Sequence, residues 1–379
     1  MPRALFIAGL IAIAIVILLT VNRSDVERGS LPSAEGGASL RAVASVTPPQ
    51  PTSTAGEIAP EPRYCQSPTA RLSFDASTWH APDNDTLRAA AALLAKSDRA
   101  EELAIAALLA PVGLDAIALL DRAIDARPRD PVLRMLSVQL CKKRQKDQPG
   151  QCGEGQLERR ISDWLAVDAG NAAPWAERAE LALRDRRYDR AADALANAAA
   201  ASDSDIYFID LVLRIDAALV VAGLPFQERV SQAFALTAAL PSATAITTCR
   251  EAIVEAEFLR SYCLEYYATQ SKISGTFLDK MIGLGMQIEL LDGQPTMAQH
   301  QAELQTERSA LRQRFNETID AGDIEAAMLA DSSIFYAYAE QWQQSSELEA
   351  REVMVQEVER LNALHQRRVI RENCDDTPR

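Results

Sequence analysis

From about Thr86 onward, apolar residues recur three and four positions apart almost without interruption, which is the spacing of amphipathic helices rather than strands. The clearest stretch is 172–205. There Trp175, Ala179, Ala182, Ala191, Leu195 and Ala198 are spaced to build two antiparallel helices with small residues at the crossing. Arg184-Asp185-Arg186-Arg187-Tyr188-Asp189 between them is polar and short enough to be the turn. Beyond 205 the pattern predicts helices over Asp205–Val221, Phe226–Leu240, Cys249–Gln270, Thr276–Leu291 and Met297–Ala321, with a highly charged last helix over Ser346–Arg371. Gly223-Leu224-Pro225, Leu240-Pro241-Ser242 and Asp292-Gly293-Gln294-Pro295 supply the breaks.

The 172–205 hairpin resembles a tetratricopeptide repeat, a helix-turn-helix unit of about 34 residues. Ser97–Asp130 follows the same template, with Leu103, Ala104 and Ala107 in a first helix and Ala116, Leu120 and Ala123 in a second. Residues 131–171 read as a further copy with Leu133, Leu136, Leu140, Ile161, Trp164 and Leu165, and with an insertion, Arg144–Gln156, in its turn. Such units leave apolar flanks and must stack on neighbours. The expected fold class is therefore all-α, a curved helix-turn-helix solenoid: repeats at 97–130, 131–171 and 172–205 within 85–205, further helical hairpins over 206–372, and a tail at 373–379.

The resemblance also implies where a partner lies, since ligands of this family usually occupy the groove lined by the first helix of each repeat. Carried over by position, that groove would present Asp98, Glu101, Ile105 and Leu108, then Arg134 and Val138, then Ala176, Glu180, Leu183 and Arg184. These are mixed and partly acidic, unlike the basic clamp with which some relatives grip peptide carboxylates. Trp175 is expected in the repeat core rather than as a ligand platform. The aromatic cluster Phe335, Tyr336, Tyr338 and Trp342 is expected to pack helices.

Two segments precede the helical part. Ala4–Val21 carries no charge and as a helix would span about 27 Å, enough for a bilayer core. No A-x-A-like exit follows it, so residues 1–23 are expected to be an uncleaved, single-pass anchor, with a cleaved signal peptide as the alternative. Residues 24–84 form a linker. Its Ser24–Arg63 part is rich in Pro, Ser, Ala, Gly and Thr and cannot bury enough surface to order itself. A proline-rich recognition segment is the other reading.

Composition sharpens the functional classes. Aromatics are 6% of a chain with 48% hydrophobic residues, a balance dominated by Ala and Leu that favours helices. A net charge of −14 argues against nucleic acid, which needs a basic face. The three histidines, His80, His300 and His365, lie far apart, and no phosphate-loop, dinucleotide, nucleophile-elbow or zinc-protease motif occurs. Gly283-Leu284-Gly285 lacks a preceding strand and reads as a helix packing or break point. No cofactor or metal is called for.

Six cysteines in a chain with an export-like segment favour disulfides, with buried thiols of a cytosolic protein as the alternative. Cys141 and Cys152 flank the insertion and form the clearest pair. Cys249–Cys263 needs a bend, because 14 residues of unbroken helix would separate the two by about 21 Å. Cys65–Cys374 would join the two ends of the folded part. The expectation is a non-catalytic scaffold, anchored in an inner membrane through residues 4–21, with its helical domain on the periplasmic side and a protein as partner. An envelope enzyme or an enzyme's accessory subunit is the second reading, and a toxin-neutralising or inhibitory protein the third.

Overall fold

The computed structural model describes residues 82–110, 115–147, 152–240, 245–321 and 324–375. The anchor, most of the linker, the extreme tail and the Cys65–Cys374 pairing lie outside them. The described residues are all-helical: sixteen α-helices, one short 3-10 turn at Pro295–Met297 and no strand. Two isolated bridges, Asn171 with Asp203 and Ser204 with Ser274, tie loops together.

The first seven helices are α1 (Asn84–Leu94), α2 (Ala100–Leu109), α3 (Ala116–Ala126), α4 (Pro131–Asp147), α5 (Glu154–Leu165), α6 (Ala172–Arg184) and α7 (Tyr188–Ala199). Each packs on the next as an antiparallel neighbour. Their starts are set by short polar side chains that accept the first free amides. Asp115 Oδ1 accepts from Ala118 N at 3.0 Å, Asp130 Oδ1 from Val132 N at 3.0 Å, and Asn171 Oδ1 from Ala173 N at 3.0 Å. The three expected hairpins are thus α2–α3, α4–α5 and α6–α7. Trp164 is buried at the second of them, where its Nε1 donates to Asp168.

The chain then departs from the regular stacking expected of a solenoid. Next come α8 (Phe208–Val221), α9 (Phe226–Ala238), α10 (Ala245–Glu255), α11 (Leu259–Ile273) and α12 (Phe277–Leu290). After α7, helix α8 turns back and packs on α1 and α2, while α7 takes α11 as its neighbour and α6 takes α10. The physical reason lies in α8 itself. Ile209, Leu211, Val212, Ile215, Ala218 and Leu219 are all buried, a face too wide for one neighbouring hairpin to cover. Burying each of its larger aliphatics contributes about 1.5–3 kcal/mol. Arg214 Nη1 fixes the crossing by donating to Asp130 Oδ2 at 2.6 Å. Helix α4 is buried from Val132 to Cys141 except at half-buried Arg134.

The last helices are α13 (Ala298–Ala321), α14 (Ile324–Ala330), α15 (Ser332–Gln344) and α16 (Glu347–Asp375). Helices α14–α16 join the core of α1–α5, α8 and α9. Phe335, Tyr338 and Trp342 are buried there as expected, and exposed Tyr336 donates its hydroxyl to Asp216 Oδ2 at 2.7 Å. A second core joins α6 and α7 to α10–α12.

Cys141 lies within α4 and Cys152 just before α5, while Cys249 and Cys263 lie within α10 and α11. Cys141 and Cys152 have Cα atoms 5.4 Å apart across the inserted turn. Cys249 and Cys263 have theirs 6.3 Å apart, because the predicted single helix breaks at 256–258 and reverses. Gly283 is a packing point inside α12 rather than a break. A Cβ there would meet Ser271 N and Tyr267 O at 2.8 Å, so only glycine lets α11 and α12 approach this closely.

Candidate binding pocket

Helix α6 carries different chemistry on its two faces. On one, Glu177 and Glu180 stand one turn apart and meet Lys142 from α4. Lys142 Nζ donates to Glu177 Oε2 and to Glu180 Oε2, both at 2.9 Å, and Gln139 Nε2 donates to Glu177 Oε1 at 3.0 Å. Side-chain exposure is only 11%, 10% and 19% for Lys142, Glu177 and Glu180, so this is a buried cluster. Burial alone would lower the Lys142 pKa, but the two carboxylates outweigh it and hold the ammonium above its ordinary value. Burial pushes the Glu177 carboxyl up, with Lys142 pulling it back.

The other face opens into a pocket of about 340 Å³. Helices α5 and α7 both pack on α6 but scarcely touch each other, and the pocket is the gap between them. Its floor is apolar, made of Ile161, Leu181, Ala182 and Ala194. Half-buried Trp175 forms a wall, with its Nε1 held by Ala169 O at 2.9 Å. Asp193 and Asn197 lie at the α7 edge.

Three arginines line this pocket. Arg178 lies 5.4 Å from the Trp175 ring centroid and donates from Nη2 to Ser162 Oγ at 2.8 Å. Arg187 is placed by the end of α6. Arg187 N donates to Ala182 O at 2.8 Å and Arg186 N to Leu183 O at 2.9 Å, the paired bonds of a Schellman turn. The left-handed residue of that turn, usually glycine, is Arg186 at φ 58°. Arg187 Nη2 donates to Asp185 Oδ2 at 2.6 Å, whereas its buried Nε has no hydrogen-bond partner among the described residues. Glu158 from α5 stands 3.8 Å from Arg187 and 4.0 Å from Arg190, beyond hydrogen-bond reach of both.

The residues expected along a partner groove are distributed differently. Ile105 and Val138 belong to the first core, Ala176 and Leu183 to the second, and all four are buried. Leu108 is half-buried against the first core. Glu101 pairs with Arg127. Arg134 donates to Pro128 O at 3.0 Å and pairs with Asp163, and Glu180 is held by Lys142. Asp98 and Arg184 are exposed. The pocket's own residues were not foreseen as a site. The signal that could have found them was the density of arginine at 184–190 in an acidic chain.

No helix among the described residues is long and apolar enough to cross a membrane, and no group of three or more His, Cys, Asp or Glu side chains among them is placed to hold a metal ion. A scan of protein-family models finds no match, and none is found among curated proteins or among solved structures.

Proposed function

We propose that this protein is a membrane-tethered helical scaffold that binds a protein partner on the periplasmic side of an inner membrane. The observation that carries the reading is the pair of disulfide-distance cysteine couples, Cys141–Cys152 and Cys249–Cys263, which suit an oxidising compartment. The uncharged run Ala4–Val21 supports a tether to that side. The helical hairpins of 97–205, in their resemblance to tetratricopeptide repeats, support a partner-binding role, as does a pocket offering guanidinium donors and an aromatic wall.

The test is crosslinking in intact cells of the full chain carrying a C-terminal tag, followed by detergent solubilisation and pull-down. Recovery of one stoichiometric envelope protein is expected, with all four paired cysteines inaccessible to thiol reagents until reduction. Recovery of cytosolic proteins together with thiols that react without reduction would overturn both the compartment and the tether orientation.

A further inference from the structure

We propose that the pocket between α5, α6 and α7 binds an organic monocarboxylate with an apolar body, such as an acylated amino acid or the free C-terminal residue of a peptide. This rests on the pocket alone and needs neither the tether nor the protein partner.

Three observations converge on that chemistry. The first is the surplus of donors. Arg190 makes no hydrogen bond among the described residues and Arg178 has one side-chain partner, so both guanidiniums keep N–H groups without an acceptor at the pocket. Guanidinium groups bind planar anions through paired N–H donors, so Arg178 and Arg190, whose N–H groups outnumber the acceptors they reach, make an anion site. The second is the charge. Among the lining residues Arg178, Arg187 and Arg190 outnumber Glu158 and Asp193 by one, and Asp185, which accepts from Arg187 at 2.6 Å outside the lining, balances that charge, so the site has no excess to offer a dianion. A singly charged carboxylate suits it better than a doubly ionised phosphate. The third is shape. The floor and the Trp175 wall are apolar, and a volume of about 340 Å³ falls at the small end of ligand pockets, room for one side-chain-sized body beneath the charged rim.

Glu158 has a defined part in this arrangement. It lies near two of the arginines without bonding either, so it acts as a resident competitor for the incoming carboxylate.

The experiment titrates the full chain in non-ionic detergent with N-acetylphenylalanine, followed by calorimetry and by tryptophan fluorescence. The acid is expected to bind about tenfold or more tightly than its uncharged amide, as loss of a charge-assisted pair dictates. Arg190→Gln is expected to weaken the acid by about tenfold, and Glu158→Gln to tighten it several-fold with the fold unchanged. A tripeptide ending in a free phenylalanine carboxylate separates the sources. Tighter binding than the single residue supports a protein C-terminus, and equal binding supports a free small acid. Equal affinity for acid and amide, no binding of the acid, tighter binding of phenyl phosphate, or a Glu158→Gln chain no better than native would each overturn the proposal.

Discussion

The two faces of α6 hold the same kinds of charge in opposite states of completion. Toward α4, Lys142 donates to two carboxylates, one of which also accepts from Gln139. The charges are matched in surroundings nearly closed to water, and only the Gln139 Oε1 is left without a partner among the described residues. Toward α5 and α7, Arg187 and Arg190 meet Glu158 only at 3.8 and 4.0 Å, and Arg178 donates to a serine hydroxyl alone. A buried charge that is fully paired holds the fold together, since removing one partner strands the others. An exposed charge that is half paired adds little to stability and remains available to a ligand. Structural and binding roles are thereby separated by one helix diameter.

The comparison breaks most readily at Lys142. Lys142→Met would leave Glu177 and Glu180 facing each other without a countercharge, and should cost about 3–5 kcal/mol in chemical denaturation at pH 7. A loss below 1 kcal/mol would show that the two carboxyls are held neutral and that the cluster is no ion pair. Next in size is the disulfide beside it. Cys141→Ala with Cys152→Ala frees a loop of sequence separation 11, and the chain-entropy relation gives a loss of about 2.5–3 kcal/mol. Reduction of the native chain opens Cys249–Cys263 as well, so its denaturation midpoint should fall further than that of the double variant.

At the N-terminal end of α6 the carboxylate balance reverses. The capping Asn171 donates to Asp205 O at 2.7 Å, and Asp205 Oδ1 accepts from Tyr207 N at 2.6 Å. Burial raises the Asp205 carboxyl to about 6, against the pull of the Tyr207 amide and with help from Asp203, Asp210 and Asp168. The folded chain therefore holds this proton more tightly than the unfolded chain, whose aspartate has a pKa near 3.8. The stabilising share is present below about pH 4 and is lost as pH rises to about 6. Asp205→Asn should remove that slope and leave the variant more stable than native at pH 7 by about 2 kcal/mol. Parallel pH–stability curves for the two proteins would refute the assignment.

Much of this arrangement was legible in the chain, and what was not has a common cause. Helix positions followed from apolar spacing and from the Gly and Pro breaks, as at Phe226–Ala238 and at Gly223 and Gly293, both with positive φ. The Cys249–Cys263 pair already required a bend, and the break at 256–258 supplies it. The return of α8 was hidden because its broad apolar face declares burial without naming the helices that bury it. For the same reason Ile105 and Val138, expected along a groove, lie inside a core. The pocket was hidden for a different reason. Glu158, Arg178, Arg187 and Arg190 come from three helices and one turn, and each alone reads as a solvated surface charge. Local pattern reports which side of an element is buried, whereas a site is a property of elements brought together.

The smallest expected effect is the sharpest test of the contrast. Arg190 is 68% exposed, and its one ionic neighbour stands 4.0 Å away. Nothing in the fold depends on it, so Arg190→Gln should change stability by less than about 0.5 kcal/mol. Lys142→Met, on the opposite side of the same helix, should be severalfold more costly. If the pocket is a binding site, Arg190→Gln should nevertheless lose carboxylate affinity, giving a protein that melts like the native chain and binds unlike it. A loss of stability near that of Lys142→Met would mean that Arg190 serves the packing of α5 against α7, and the two faces of α6 would then differ in degree of burial and not in role.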